Sequence, residues 1–543
     1  NTTYSCVVIT SGVSSVAQNV TTNVQHATVP ITAASLGTAV ALTKSGDDMC
    51  SFVSSDNVEY ICQDDGGGLP PSGSTTTGHF QLLKITNETP ASFAGTQVNA
   101  FSNFPSGNAM YQTGLFGFHG NLYVVLNQSY AGNSQPITYN ETFGGILKST
   151  DHGATWNNWV TPGTTSANGV VPPTIAFMFA KYNIGALMPV RYAIDDGTIG
   201  YTTAGNRFDG GDGYIYLNYL YTGLVNNSNM YLLRIPRIQM EAQNGAAAQY
   251  WVGPASPASA DFVNDANWSS SDASAQAIYS EANHVSWSFI TFIPKLNRYL
   301  WISWYYYWDG TNPTNHGDSF WKIMEAPTPA GPWTQVGSTL NFNPSGWYAP
   351  IPLHRTAAAN TSITSPSLTL VTYDDYGGDN LIQLIPLSLT GSPNGISGSL
   401  GAAGAGAVVS WSGASSGSVT ADGSGNYNTG EVLGLGSYMI TPTKTGYTFS
   451  PTSASETISG ADITGVNFIG GLGVYSVPDC RNFGIFPNSS ISVQGTLTYT
   501  VQSVDSRTAG APVDSRTNKP IDSRAAGAGT TPQNCRTQPP FED

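Results

Sequence analysis

Four aspartates stand in two pairs around two cysteines in the stretch SGDDMCSFVSSDNVEYICQDDGGG, residues 45–68. Asp47 and Asp48 precede the run CSFVS, and Asp64 and Asp65 follow VEYIC. The second run alternates as a strand does, with Val58, Tyr60 and Cys62 on one face. If the two runs form a hairpin through SDN, its open end brings the Asp pairs together. Paired carboxylates are what glycoside hydrolysis needs: a separation of about 5 Å suits a nucleophile with an acid/base, and about 6.5–9.5 Å leaves room for an attacking water. The same residues would also serve as solvated turn aspartates or as calcium ligands.

The elements that must position such carboxylates are strands. At 543 residues the chain is long enough for two or three domains. Residues 39–390 repeat one theme, a short apolar or alternating strand and then a Gly/Asn/Asp turn, as in GNLYVVLNQ, GYIYLNYLY, MYLLRIP, SWSFITFIP, RYLWISWYYYW and LTLVTYDDY. RIQMEAQNGAAAQYW is the one modest helix candidate. This predicts an all-β fold, and the length suits radial repetition of small sheets, a five-bladed β-propeller. KSTDHGATW supports it: Ser149, Asp151, Gly153, Thr155 and Trp156 fit the Asp box of sialidase-type propellers, a structural turn whose aspartate is not catalytic. The run Trp304 to Trp308 is too long to face one side, so it offers both inter-blade packing and a sugar-stacking platform.

The remaining segments differ in composition. Residues 1–38 are nearly uncharged and read as an extended N-terminal arm or strand leading into the first domain. After the linker GSPNG, residues 391–470 carry short strands at the spacing of a β-sandwich. Residues 471–543 form a tail that repeats Asp-Ser-Arg at Asp505, Asp514 and Asp522 and is bracketed by Cys480 and Cys535. Bridges Cys50–Cys62 and Cys480–Cys535 would account for four of the five cysteines, leaving Cys6 free, paired between chains or in place of one of those partners. Such usage, with a chain that begins at Asn1 and has no stretch of about 20 apolar residues, reads as a mature secreted or cell-surface product without a membrane span.

Net charge is −15, from 19 basic against 34 acidic residues, with no Lys/Arg cluster to track a phosphate backbone. That excludes nucleic acid as a partner and favours a neutral ligand such as a polysaccharide. No Gly-rich phosphate loop, Ser nucleophile elbow or CxxC motif is present, which argues against nucleotide, esterase and redox chemistry. His284, His316 and His354 are scattered without metal-ligand spacing. Paired-carboxylate hydrolysis requires no organic cofactor and is compatible with a structural calcium.

The order of the segments DDMCSFVSSDNVEYICQDDGGG, KSTDHGATW, YLLRIP, FITFIPKLNRYLW and KIMEAPTPAGPWTQV, from about residue 45 to 390, resembles a family of secreted five-bladed propellers catalogued as a domain of unknown function. That family includes endo-D-arabinanases and is related in architecture to arabinanase- and xylosidase-type glycosidases. The resemblance implies Asp47 and Asp65 as the catalytic carboxylates, with Asp48 and Asp64 one register position away. Glu281 in YSEANHVSW stands at a corresponding blade end as an acid or a substrate contact, beside His284; Trp304 and Trp308 are the aromatic candidates. Residues 391–470 resemble carboxypeptidase-regulatory-like, prealbumin-like modules, through VTADGSGNY, GLGSYMITPTKTGYTFSP and the closing GVNF. The rival reading is a non-catalytic surface or filament protein that self-associates through the N-terminal arm or the C-terminal tail.

Overall fold

The computed structural model describes residues 3–6, 9–10, 13–14, 18–21, 28–64, 67–70, 80–101, 109–129, 145–156, 186–192, 213–221, 225–306, 319–340, 348–373 and 381–473. The described chain is all-β, and between Ile31 and Gly391 it is organised as five antiparallel sheets in chain order. Sheet 1 joins Asp47–Val53, Glu59–Asp64, Phe80–Asn87 and Ala94–Phe101, and sheet 2 joins Ala109–Phe118, Asn121–Ser129 and Gly145–Ser149. Sheet 3 runs from Ala186–Pro189 through Tyr214–Leu220 and Asn227–Pro236 to shorter strands, with Tyr279–Val285 also paired to Asn227–Pro236. Sheet 4 joins Ile290–Ile293, Arg298–Tyr306, Ser319–Ala326 and Thr334–Leu340. Sheet 5 joins Tyr348–Pro352, Ser367–Tyr373 and Leu381–Gly391, and it is completed from the start of the chain by Ile31–Leu36 and Val40–Ser45.

That last pairing fixes the end of the segment 1–38. Ile31–Leu36 is a strand of the chain's own fifth sheet, so this segment is not free to complete the sheet of a neighbour. The helix candidate also shrinks. Arg237–Glu241 forms one turn, Gly245–Ala247 a 3-10 turn, and Gln249–Trp251 returns to sheet 3, because Gly245 and the aromatic pair suit a turn and a buried strand better than a helix interior.

The sheets pack face against face, so a middle strand is buried on both sides. In Arg298–Tyr306 every residue except Tyr306 is buried, which is why this run reads as continuously apolar instead of alternating. Its one charge is answered locally. Arg298 Nε and Nη2 donate to the two carboxylate oxygens of Glu325 on the next strand, each at 2.6 Å, with both side chains nearly inaccessible. Glu325→Ala would strand a guanidinium in the core, and the expected cost is about 3–5 kcal/mol, read as a lowered urea midpoint.

The Asp box closes as its residue types require. Asp151 Oδ1 accepts from Thr155 N–H at 2.8 Å, Oδ2 accepts from the Thr155 hydroxyl at 2.6 Å, and Ser149 Oγ accepts from Gly153 N–H at 2.8 Å. Gly153 has φ +88°, and a Cβ there would lie 2.1 Å from Leu82 Cδ2 of sheet 1, so only glycine lets this turn press against the neighbouring sheet. Trp156 is buried beside it. Asp151 is wholly engaged in the turn.

Beyond Gly391 the strands build a second hydrophobic cluster around Ile396, Val409, Trp411, Tyr438, Ile440 and Phe468, separate from the large cluster that spans the five sheets. Its main sheet orders Gly417–Thr420, Val408–Gly413, Gly436–Thr443 and Ala454–Ile458. The turn in VTADGSGNY is held by Asp422 Oδ1, which accepts from Ser424 N–H and Asn426 N–H at 2.8 Å each. Residues 474–543 make a separate unit outside the described residues. No helix among the described residues is long and apolar enough to cross a membrane.

Candidate functional site

The first strands of the five sheets are bonded to one another. Leu115 N–H of sheet 2 meets Cys50 Sγ of sheet 1 at 3.3 Å, and Thr113 Oγ1 donates to Leu187 O of sheet 3 at 2.8 Å. Arg191 N–H donates to Ile290 O, and Phe292 N–H to Arg191 O, joining sheets 3 and 4 as a parallel bridge. Arg191 Nη1 then reaches both Ser51 O of sheet 1, at 3.2 Å, and Pro352 O of sheet 5, at 2.9 Å. Val53 N–H donates to His354 Nδ1 and His354 N–H to Ser51 Oγ, each at 2.9 Å, which ties sheet 5 back to sheet 1.

These contacts also set direction. Cys50 lies against Leu115 and Phe52 against Gly117; Thr113 lies against Leu187 and Gly114 against Pro189. The first strands of sheets 1 to 4 are therefore parallel, and their starts lie at one end. Trp287 Nε1 donates to Thr113 O at 3.3 Å, so the segment leading into sheet 4 shares the level of Thr113 and Leu187. Counting back from Cys50 at about 3.3 Å per residue puts Asp47 and Asp48 near that same level.

The opening hairpin forms, with Asp47–Val53 pairing antiparallel to Glu59–Asp64. Asp47 stands opposite Asp64, and Cys50 opposite Cys62. Asp65 and Trp308 lie outside the described residues, as do Cys480 and Cys535. The expected Cys50–Cys62 disulfide is absent in this structure. Cys50 Sγ instead lies between Leu115 N, at 3.3 Å, and Leu115 O, at 3.5 Å, on the face that meets sheet 2, where burial pushes its thiol up to about 11. The hairpin is held by its ladder and by packing.

Glu281 and His284 come together. Tyr279–Val285 carries both, and Glu281 gathers three donors: the Tyr279 hydroxyl on Oε2 at 2.6 Å, with His284 Nδ1 at 3.0 Å and Lys322 Nζ on Oε1. The His284 ring stacks on Tyr305 with centroids 3.9 Å apart. Burial pulls the Glu281 pKa upward, but the hydrogen bonds from Lys322, Tyr279 and His284 outweigh it and bring the carboxyl down to about 2. Glu281 is thus ionised at neutral pH, with no proton to give. Of the two roles offered for it from sequence, this arrangement suits the substrate contact, as an anchor for a hydroxyl-rich ligand or a fixed negative charge beside a developing cation.

A folded pKa below the ordinary 4.5 means that the ionised form stabilises the fold. The contribution is complete above about pH 4.5 and is lost as the pH falls through about 2. Glu281→Gln should lower the melting temperature at pH 6, and the gap from the unmodified protein should close towards pH 2. A gap of constant size across that range would remove the carboxylate's charge from the account.

Trp304 corrects another expectation. It is 1 % exposed, and its indole N–H donates to Trp287 O at 2.5 Å, so it is core and offers no face to a sugar. Strand alternation explains this, since Trp304 and Tyr306 turn towards Tyr348 of sheet 5 while Tyr305 turns to His284.

The residues missed from sequence are the junction itself: Ser51, Glu59, Arg191 and His354, all buried. Glu59 Oε1 accepts from Arg355 N–H at 3.3 Å, and burial raises its carboxyl to about 7. The one signal for Arg191 was a lone charge in the apolar run ALMPVRYA. Among the described residues no group of three His, Cys, Asp or Glu side chains is placed to hold a metal ion.

No family model matches this chain, and no curated protein matches it. Among solved structures it is distantly similar to several carbohydrate-active enzymes. The native arabinanase Arb43A of Bacillus subtilis is 14% identical at a TM-score of 0.31, over 64% of this chain and 94% of that one. Zg3597, a family 117 glycoside hydrolase of the marine bacterium Zobellia galactanivorans, is 10% identical at 0.33, over 68% and 91%. An α-L-arabinofuranosidase of Clostridium thermocellum ATCC 27405 is 11% identical at 0.29, over 60% and 82%. At these scores the likeness assigns neither a site nor an activity to this chain.

Proposed function

We propose that the five sheets are the blades of a β-propeller and that the chain is a secreted, glycoside-hydrolase-like protein acting on a neutral polysaccharide, with arabinofuranosides as the first substrates to try. Asp47 and Asp65 divide the acid and base or nucleophile roles, with Asp48 and Asp64 as the neighbouring register alternatives. Glu281 and His284 contact substrate at the same end. The observation that carries this reading is the level shared by the start of the first strand, at Asp47, and the segment leading into sheet 4, just after the Glu281 cluster. Carboxylates gathered where parallel inner strands begin can flank one bond of a bound chain. Residues 391–470 form a sandwich module that spaces or tethers the propeller.

The test is release of reducing ends from a panel of arabinans, xylans and other neutral glycans, by the unmodified protein and by Asp47→Asn. Cleavage by the first and loss in the second supports hydrolysis. Glycan binding without cleavage leaves a carbohydrate-binding propeller, and neither cleavage nor binding returns the protein to the surface or assembly reading.

A further inference from the structure

The place where Arg191 and His354 meet sheet 1 carries buried donors that no group among the described residues answers. Arg191 is fully buried, and its terminal nitrogens are engaged by neutral acceptors: Ser51 O, Pro352 O and, at 2.6 Å, Thr291 Oγ1. Its Nε–H has no partner among the described residues. His354 is equally buried, and because its Nδ1 accepts from Val53 N–H, the ring is the neutral tautomer with its proton on Nε2. That Nε2–H is also without a partner among the described residues. Ser51 O and Val53 N, which hold the guanidinium and the imidazole, are two residues apart on one strand and therefore project from the same edge. The two unanswered donors belong to side chains that enter the same junction.

A buried guanidinium needs compensating charge as well as acceptors. The acidic groups nearest to Arg191 are engaged elsewhere: Cys50 Sγ lies against the Leu115 backbone and Glu59 Oε1 accepts from Arg355 N–H, and among the described residues neither is hydrogen-bonded to the guanidinium. A water molecule would supply an acceptor but no charge. A cation is excluded by Arg191 itself. We propose that this junction binds one small monovalent anion of the halide class, held between Arg191 Nε–H and His354 Nε2–H. The anion would lock sheets 1, 3 and 5 together, whatever chemistry the carboxylates perform.

The experiment uses the full chain, purified and crystallised in sodium bromide. Bromide scatters anomalously, and one anomalous peak is expected within hydrogen-bond reach of both nitrogens. In solution the melting temperature should be higher in bromide or chloride than in gluconate at equal ionic strength. It should climb by about 3–4 °C for a hundredfold rise in halide above its dissociation constant. His354→Phe keeps a ring on Phe52 and removes both nitrogens, so it should abolish the halide dependence. If that variant does not fold, the bromide map of the unmodified protein decides. Absence of a peak at the junction, peaks at the surface alone, or equal melting temperatures in bromide and gluconate would each overturn the proposal.

Discussion

Arg191→Ala is expected to lower stability by about 4–6 kcal/mol, seen as a large drop in the urea midpoint followed by tryptophan fluorescence. The size follows from what one side chain does. Its guanidinium bonds Ser51 O of sheet 1, Thr291 Oγ1 of sheet 4 and Pro352 O of sheet 5, while its own backbone belongs to the strand leading out of sheet 3. Truncation leaves those acceptors buried, each costing about 1–3 kcal/mol, and opens a cavity beside Phe289, whose ring centroid lies 5.4 Å from the guanidinium carbon. Arg191→Lys separates charge from geometry. One ammonium cannot span three acceptors on three sheets, so Lys should recover only part of the loss. Equal stability of Ala and Lys variants would locate the effect in packing alone.

The second large effect concerns chemistry. In Asp47→Asn the backbone pairing with Asp64 is retained, and the amide is nearly isosteric, so the fold should persist. The amide can neither attack nor exchange a proton, and turnover should fall by about 10²–10⁴-fold or more, with glycan binding little changed. Under the proposed division of roles the corresponding change at Asp65 should match it, and the double variant should be no worse than either single one. If Asp47→Asn keeps full turnover while Asp48→Asn or Asp64→Asn loses it, the register is shifted by one and the assignment moves with it. The reading of Glu281 makes a contrasting prediction for the same assay. A carboxylate already held near pKa 2 does not set the basic limb of a pH–rate profile, so Glu281→Gln should raise the substrate concentration needed without moving that limb.

Much of this protein was legible without coordinates because its determinants are local. Alternation and turn residues announced the hairpin of Asp47–Val53 with Glu59–Asp64, the strands at Asn121–Ser129, Tyr214–Leu220 and Arg298–Tyr306, and the Asp-box turn, whose hydrogen bonds all close within seven residues. Low charge and abundant aromatics pointed to all-β layers for the same reason, since each sheet must bury both of its faces. Tertiary structure alone decided the rest. Ile31–Leu36 pairs with Leu381–Gly391 some 350 residues away, a contact with no trace in local periodicity. Cys50 lies against the Leu115 backbone of sheet 2, whose N–H and C=O both meet its sulfur, a neighbour that no local pattern names. Trp304 was drawn into the core, and Glu281, flanked by Tyr279 and His284 of its own strand, is met by Lys322 from sheet 4, a partner that only the packing of strands supplies. Arg191 shows the limit most plainly: one charge in an apolar run becomes the joint of four sheets only when strands from four parts of the chain converge on it.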